Sequence, residues 1–414
     1  MSIHIAIIDD GISEKLYNID GLEHNIQVTT GLQICERVGY DPFLPSHGTT
    51  CAAIIKKYAP EAVLSSIKIL SDESRKGMKD QLIRALKWCA HNGIRLVNLS
   101  LGTIDYRDFN GIKEAVNYVY EKGVVIVAAC NNRNVFTCPA SLENVIGVRC
   151  DWQDTLKERA YMYNPFSPDG IEITSCGNHK LVKYNGETKI TTLSNSFAAP
   201  VITSIIYKIL RNNPDISVQD IREHLKRQAA AEKSGQNTLG FDLRSLNVYN
   251  YLYKSIDIPI VVLYNCCGKN NDIDKKLNCK FRHEGYNAIN VFTEKNESDN
   301  CSGHVFIGDL YRNGISSTGE SILKAASIFD PDIIIVSVEM SSENAAPGLK
   351  DIENNIDPDI KIFVHQNQTL EILSSYETRT MSLSGNGQID ALYSYIISLF
   401  AKDEVGNDGV TNKT

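Results

Sequence analysis

Through residues 1 to about 255 the chain alternates short runs rich in β-branched residues with longer stretches of helical spacing. Ile3–Ile8, Leu64–Leu70, Leu96–Leu99, Val124–Ala129 and Val145–Val148 read as strands. Thr49–Lys57, Lys79–His91, Gly111–Lys122 and Phe197–Asn212 place apolar residues three and four apart and read as helices. Asn213-Pro214 closes the last of these, and Ser217–Ala230 reads as another helix. Strands that are apolar throughout and separated by helices predict an α/β domain, a parallel sheet with helices on both faces.

The alternation resumes near Asp257. Ile258–Tyr264, Ile333–Val338 and Ile360–Val364 are strong strand patterns, and Ala288–Phe292 and His304–Ile307 weaker ones. Glu320–Phe329 and Ile389–Phe400 read as helices. Residues 256–400 are therefore expected to form a second, smaller α/β domain with its own core, serving docking, dimerisation or regulation. No Pro/Gly-rich linker marks the boundary, and the polar stretch 401–414 is expected to be a flexible tail.

Composition narrows the function classes. The 414 residues suit two or three domains, and 43% hydrophobic with 22% charged residues excludes disorder as the main state. The net charge of −8 (42 basic, 50 acidic) argues against a broadly basic surface, so neither nucleic acid nor a membrane is expected as partner. No apolar run reaches the ~18–20 residues of a membrane span. The start, Met1 to Asp10, lacks a basic segment and reaches two carboxylates by residue 10. It reads as a strand, not a signal peptide. With 11 scattered cysteines the expected compartment is the reducing cytoplasm, with free thiols. No CxxC or Cys/His spacing points to zinc, and no metal or cofactor is expected.

Three segments carry chemistry. Ile7-Ile8-Asp9-Asp10-Gly11 puts a carboxylate where a strand stops, the edge where α/β sites assemble. Ser46-His47-Gly48-Thr49-Thr50-Cys51 puts an imidazole at the start of a small-residue helix. Leu193-Ser194-Asn195-Ser196-Phe197-Ala198-Ala199-Pro200 puts a hydroxyl at another helix start, near the positive end of its dipole. Pro200 fits a first helical turn, where a missing N–H costs little. Taken singly, each has a plainer reading: a turn carboxylate, a structural histidine, an N-cap serine.

Together, Asp, His and Ser in that order, each flanked by small residues, resemble the subtilisin-like (subtilase) serine proteases. Further segments match in collinear order over about residues 3–230. Ala59-Pro60 with Ser66–Leu70 is similar to the family's "AP…VKVL" segment, and Val97-Asn98-Leu99-Ser100-Leu101-Gly102 to its cleft-lining "VINMSLG" strand. Val124–Asn131 is similar to "VVVVAAAGN", and Pro139-Ala140 and Val145–Val148 follow in place.

The resemblance implies a subtilisin-like parallel sheet and a serine endopeptidase. It implies Ser196 as nucleophile, His47 as base and Asp9 as the group that orients His47. The Asn131 amide and the Ser196 N–H would bind the oxyanion, although Asn131–Asn134 is also a turn-prone run. Ser100, Leu101, Gly102, Asn132 and Thr137 would contact substrate. Thr103 and Thr137 stand where the family has small residues, which predicts a small or medium residue before the scissile bond. Ser194-Asn195 replaces the usual Gly-Thr, Asp10 replaces Ser or Thr, and Cys130 replaces glycine as either wall packing or a redox-sensitive thiol. The family's calcium loops are not recognisable, and no N-terminal propeptide is expected.

In the second unit Tyr264–Asn270 and Gly314–Glu320 are weak anion-loop patterns, and a docking or homodimerising module is the simpler expectation. The leading expectation is a cytosolic endopeptidase with a restricted peptide substrate, such as the leader of a ribosomally made modified peptide. The alternative is a catalytically weak or inactive fold that binds peptides or acts as a scaffold.

Overall fold

Ile5, Ala6, Ile7 and Ile8 of β1 (His4–Asp9) are all fully buried, so both faces of this strand are covered. The computed structural model describes residues 3–233 and 258–407, except 20, 72–75, 166, 267–271, 295, 297, 311–317, 341–355, 368 and 383–386. Two compact units result, Met1–Leu243 and Arg244–Thr414.

In the first unit β1 lies inside a nine-stranded sheet. The other strands are β2 (Asn25–Val28), β3 (Ile34–Glu36), β4 (Val63–Lys68), β5 (Leu96–Leu99), β6 (Val125–Ala129), β7 (Ile146–Cys150), β8 (Tyr161–Tyr163) and β9 (Ile173–Ser175). Their order is β3-β2-β4-β1-β5-β6-β7-β9-β8. Pairing is parallel from β2 to β9 and antiparallel at the two edge strands. Helices α1 (His47–Tyr58) and α4 (Asn195–Asn212) pack on each other, and their Ile54, Ile55, Ile202 and Ile206 share a core with Ile5 and Ile7. Helices α2 (Lys79–His91) and α3 (Tyr106–Glu121) pair with each other, and α5 (Val218–Lys233) packs on β8.

The five apolar runs are strands with ends within two residues of those expected. The short strands β2, β3, β8 and β9, and the hairpin β10 (Lys180–Val182) with β11 (Thr188–Ile190), had no such signal. They are three or four residues long, and β11 is exposed throughout. Helix α3 starts at Tyr106, five residues before the expected Gly111, because the Asp105 carboxylate accepts the Arg107 N–H at 3.0 Å and caps it there.

The second unit is a seven-stranded sheet in the order β14-β13-β15-β12-β16-β17-β18. Its strands are β12 (Ile260–Asn265), β13 (Ala288–Phe292), β14 (His304–Phe306), β15 (Ile333–Glu339), β16 (Ile360–Val364), β17 (Thr369–Ser374) and β18 (Thr378–Ser382). The first five in that order are parallel, and β17 and β18 add antiparallel. The helices are α6 (Ile273–His283), α7 (Ile307–Leu310), α8 (Thr318–Phe329) and α9 (Gln388–Asn407). Leu277 and Phe281 of α6 pack with Leu392, Ile396 and Leu399 of α9 over β12, β15 and β16. Helix α9 runs to Asn407, beyond Ala401 where the tail was expected, through the helix-favouring run Ala401-Lys402-Asp403-Glu404. Most of both weak anion-loop patterns lies outside the described residues. Among the described residues no helix is long and apolar enough to cross a membrane.

Candidate active site

Three neighbouring parallel strands, β1, β5 and β6, deliver one residue each to the carboxyl edge of the first sheet. Asp9 ends β1, Ser100 follows β5, and Asn131 stands two residues past β6. His47 and Ser196 come from above, in the first turns of α1 and α4.

Asp9 is fully buried, and its Oδ2 lies 2.8 Å from His47 Nδ1. Its Oδ1 accepts the Asp10 N–H, also at 2.8 Å. Burial raises the Asp9 pKa, while the hydrogen bond and charge of His47 oppose that rise. Asp10 has a different task. Its two oxygens accept the N–H groups of His47 (2.9 Å) and Gly48 (2.8 Å), and the N-cap Ser46 hydroxyl accepts Thr49 N–H (3.1 Å). The orphan donors of α1's first turn are thus satisfied, and a carboxylate sits at the helix's positive end. Gly48 permits this approach, since a Cβ there would stand 2.8 Å from the Gly11 carbonyl oxygen.

The first turns of the two helices meet. The Phe197 ring stacks on His47 with centroids 5.4 Å apart and 29° between planes. Cys51 Sγ, one turn beyond His47, reaches the Ser196 carbonyl at 3.7 Å. Pro200 has no N–H to offer that carbonyl, four residues back along α4. Ser100 Oγ donates to it instead, at 2.9 Å, while Ser196 Oγ donates to the Ser100 carbonyl at 3.3 Å. The donor atoms of Asp9, His47 and Cys51 lie within 4.8 Å of one another, a possible three-ligand metal set. In this structure the carboxylate and imidazole are bonded to each other, and the thiol reaches Ser100 Oγ at 3.4 Å.

The sequence profile of the subtilase family matches residues 2–245. The chain belongs to the subtilase family. Its curated relatives are subtilisins, and the chain is a serine endopeptidase. It is 27% identical to subtilisin DY of Bacillus licheniformis over 245 residues, 55% of this chain and 84% of the relative. It is 29% identical to subtilisin BL of Lederbergia lenta over 246 residues, with the same two coverages. Among solved structures it is similar to the S41 psychrophilic protease, with a TM-score of 0.47 and 23% identity, covering 56% of this chain and 84% of that one.

In this subtilase the Asn131 Oδ1 accepts the Arg133 N–H at 2.8 Å, so the turn-residue reading describes its oxygen. Its NH2 has no hydrogen-bond partner among the described residues and is available to a ligand oxygen. Asn195, fully buried, ties the turn before Ser196 to this loop. Its Nδ2 donates to Asn131 O (2.8 Å) and Asn134 Oδ1 (3.2 Å), its Oδ1 accepts Cys150 N–H (2.7 Å), and its N–H reaches Asn132 Oδ1 (3.2 Å). Ser194 is the N-cap of α4 at φ −162°, an extended conformation open to any residue, so glycine is not required there. Its hydroxyl accepts the Ser196 N–H at 3.2 Å.

A cavity of about 440 Å³ opens beside Asp9 and His47, between Ser100-Leu101-Gly102 and the start of α2. Asn132 is exposed and Thr137 buried, and neither lines this cavity. Cys130 is a wall residue: burial pushes its thiol up to about 11, and Sγ faces Val135 O and Thr137 Oγ1 at 3.6 and 3.8 Å.

Sequence reasoning missed two supports. Asn98, fully buried, donates to Ser100 Oγ (3.1 Å) and accepts from Thr203 Oγ1 of α4 (2.8 Å). A polar residue inside the apolar run Leu96–Leu99 was the available signal. His179, fully buried, bonds the Phe197 carbonyl through Nε2 (3.0 Å) and Tyr58 Oη through Nδ1 (2.9 Å). Burial lowers its pKa to about 4, so the ring is neutral at pH 7. Nε2 must then carry the proton, because a carbonyl can only accept. Nothing in the sequence around His179 signals this role.

Proposed function

We propose that the chain hydrolyses peptide bonds with Ser196 as nucleophile, His47 as general base and Asp9 as the group that orients it. The observation that carries this reading is the 2.8 Å contact between buried Asp9 Oδ2 and His47 Nδ1, which fixes the Nδ1–H tautomer and leaves Nε2 as base. His47 takes the Ser196 proton as Oγ attacks the scissile carbonyl, then gives it to the leaving amine. Water deacylates the enzyme by the same route in reverse. The Asn131 NH2 and Ser196 N–H receive the oxyanion.

The substrate is a restricted peptide, such as the leader of a ribosomally made modified peptide, and the second α/β unit docks or regulates. The cysteines of the described residues are all free, which suits a reducing cytoplasm.

A second reading, a peptide-binding module of low activity, draws on the resting hydrogen bonds of Ser196. Its Oγ is bonded to Ser100 O and its N–H to Ser194 Oγ. A fluorophosphonate probe separates the two. Labelling of wild type but not Ser196→Ala across pH 6–9 supports the protease; a folded, unlabelled wild type supports the binding module.

A further inference from the structure

The hairpin β10–β11 stands outside the nine-stranded sheet. In it Lys180 faces Ile190, Leu181 faces Lys189 and Val182 faces Thr188. Thr191 N–H donates to His179 O (3.0 Å) and Lys183 N–H to Glu187 O (2.8 Å), one bonded pair on either side of these. Antiparallel pairs alternate between bonded and non-bonded, so Leu181–Lys189 is the bonded pair within the hairpin. Thr188 and Ile190 therefore turn their N–H and C=O groups away from β10. Among the described residues no strand pairs with this outer edge of β11.

Successive side chains alternate between the two faces of the hairpin. Leu181 faces inward and joins the core of α1 and α4. Val182 and Ile190 face outward and are exposed. The exposed apolar face continues to Tyr184, whose ring packs on exposed Phe43 with centroids 4.7 Å apart. An apolar face beside an open strand edge marks an interaction surface.

The edge also selects its occupant. Main-chain groups open at every second residue accept an extended segment as a further strand. Alternate side chains of that segment would lie beside Ile190 on the outer face and beside Lys189 on the other. Lys189 is exposed and, among the described residues, has no ion pair. A lysine at a strand edge blunts pairing with other strands, but it attracts an acidic one. Residues 180–190 carry Lys180, Lys183 and Lys189 against Glu187 alone, in a chain whose net charge is −8. From Ile190 the chain runs through Thr191-Thr192-Leu193 to Ser196, so the edge ends no more than about 20 Å from the nucleophile.

We propose that the outer edge of β11 docks the peptide substrate itself, through an extended segment of alternating acidic and apolar residues that lies outside the cleaved bond. This rests on the peptide-hydrolase reading of Ser196. Carboxylates of the docked segment meet Lys189, its apolar side chains cover Ile190, and main-chain bonds to Thr188 and Ile190 fix its register.

Ser196 itself can report the docking. A fluorophosphonate is joined to an octapeptide alternating glutamate with leucine, through a linker of about twelve glycine and serine residues, whose r.m.s. length of ~20 Å spans the distance. Each rate of Ser196 labelling is divided by the rate of the same protein with the untethered fluorophosphonate. Docking raises the local concentration of the reactive group, so wild type should show a gain of at least about tenfold. A conjugate with lysine in place of glutamate should show none. Lys189→Glu should reverse the preference between the two conjugates, and Ile190→Asp should remove the gain of the acidic one. At 62% exposure Ile190 can be replaced without opening the core. Equal gains for the acidic and basic conjugates on wild type overturn the docking edge, as does an acidic gain that survives both substitutions. If the untethered fluorophosphonate leaves folded wild type unlabelled, the hydrolase reading falls. Fluorescence anisotropy of the free, labelled octapeptide then judges the edge alone. Binding to Lys189→Glu about tenfold weaker than to wild type supports the edge, and equal binding overturns it.

Discussion

Ser100 and Ser196 are joined twice: Ser100 Oγ donates to the Ser196 carbonyl at 2.9 Å, and Ser196 Oγ donates to the Ser100 carbonyl at 3.3 Å. The pairing exists because Pro200 cannot supply the helical N–H that the Ser196 carbonyl lacks. Ser100→Ala should cost about 1–3 kcal/mol by leaving that carbonyl short of a partner. Pro200→Ala offers a backbone N–H, so the double variant should recover part of the loss. Urea unfolding of the two single variants and the double variant measures the coupling.

Asp10 holds the first turn of α1, and with it His47, against the loop after β1. Asp10→Ala should lower stability by about 1–2 kcal/mol, the range for a lost N-terminal cap, and slow fluorophosphonate labelling as His47 drifts from Asp9. Asp10→Asn keeps an acceptor oxygen and should lose less on both counts. Equal losses for the two variants would argue against the capping role.

Ser194 Oγ accepts the Ser196 N–H at 3.2 Å, the donor proposed for the oxyanion. Ser194→Gly removes the competing acceptor and should raise kcat about fivefold, the equivalent of one net hydrogen bond of ~1 kcal/mol. The cost in stability should be a few tenths of a kcal/mol, since glycine is a tolerable N-cap. Steady-state kinetics of the variant checks the rise.

Asn131→Ala should reduce kcat by about 10²–10³ with little change in KM, the range for removing one oxyanion donor from a subtilisin. An unchanged kcat would leave Asn131 a turn residue and nothing more.

His179 makes stability depend on pH. Its folded pKa is about 4, below the ordinary 6.5, so the unfolded chain binds the proton more readily. Stability contributed by the neutral ring is complete above pH 6.5 and is lost as pH falls toward 4, by about 3 kcal/mol in total. Denaturant midpoints measured from pH 7.5 to 4 should fall less steeply for His179→Phe than for wild type. Parallel slopes would remove His179 from the balance.

The sequence by itself determined the central parallel strands and the helices that cover them, and it named candidates for the site. Runs buried on both faces, such as Ile5–Ile8, are predominantly apolar, and that pattern survives in one dimension. Asp9, His47 and Ser196 stood out as candidates because each lies at a strand or helix end among small residues, in one fixed order, and Asn131 through the resemblance to the subtilases. The short edge strands were not legible, because three half-exposed residues carry no periodicity. Neither were the supports, because each depends on contact between residues far apart in the chain. Asn98 meets Thr203, Asn195 meets Cys150, His179 meets Tyr58 and Phe197, and Gly102 meets Thr137. The sequence alone recorded Ser194, Asn195 and Thr137 as departures from a pattern. Only the tertiary structure decided what each touches, since a contact is a property of two groups brought together by the fold.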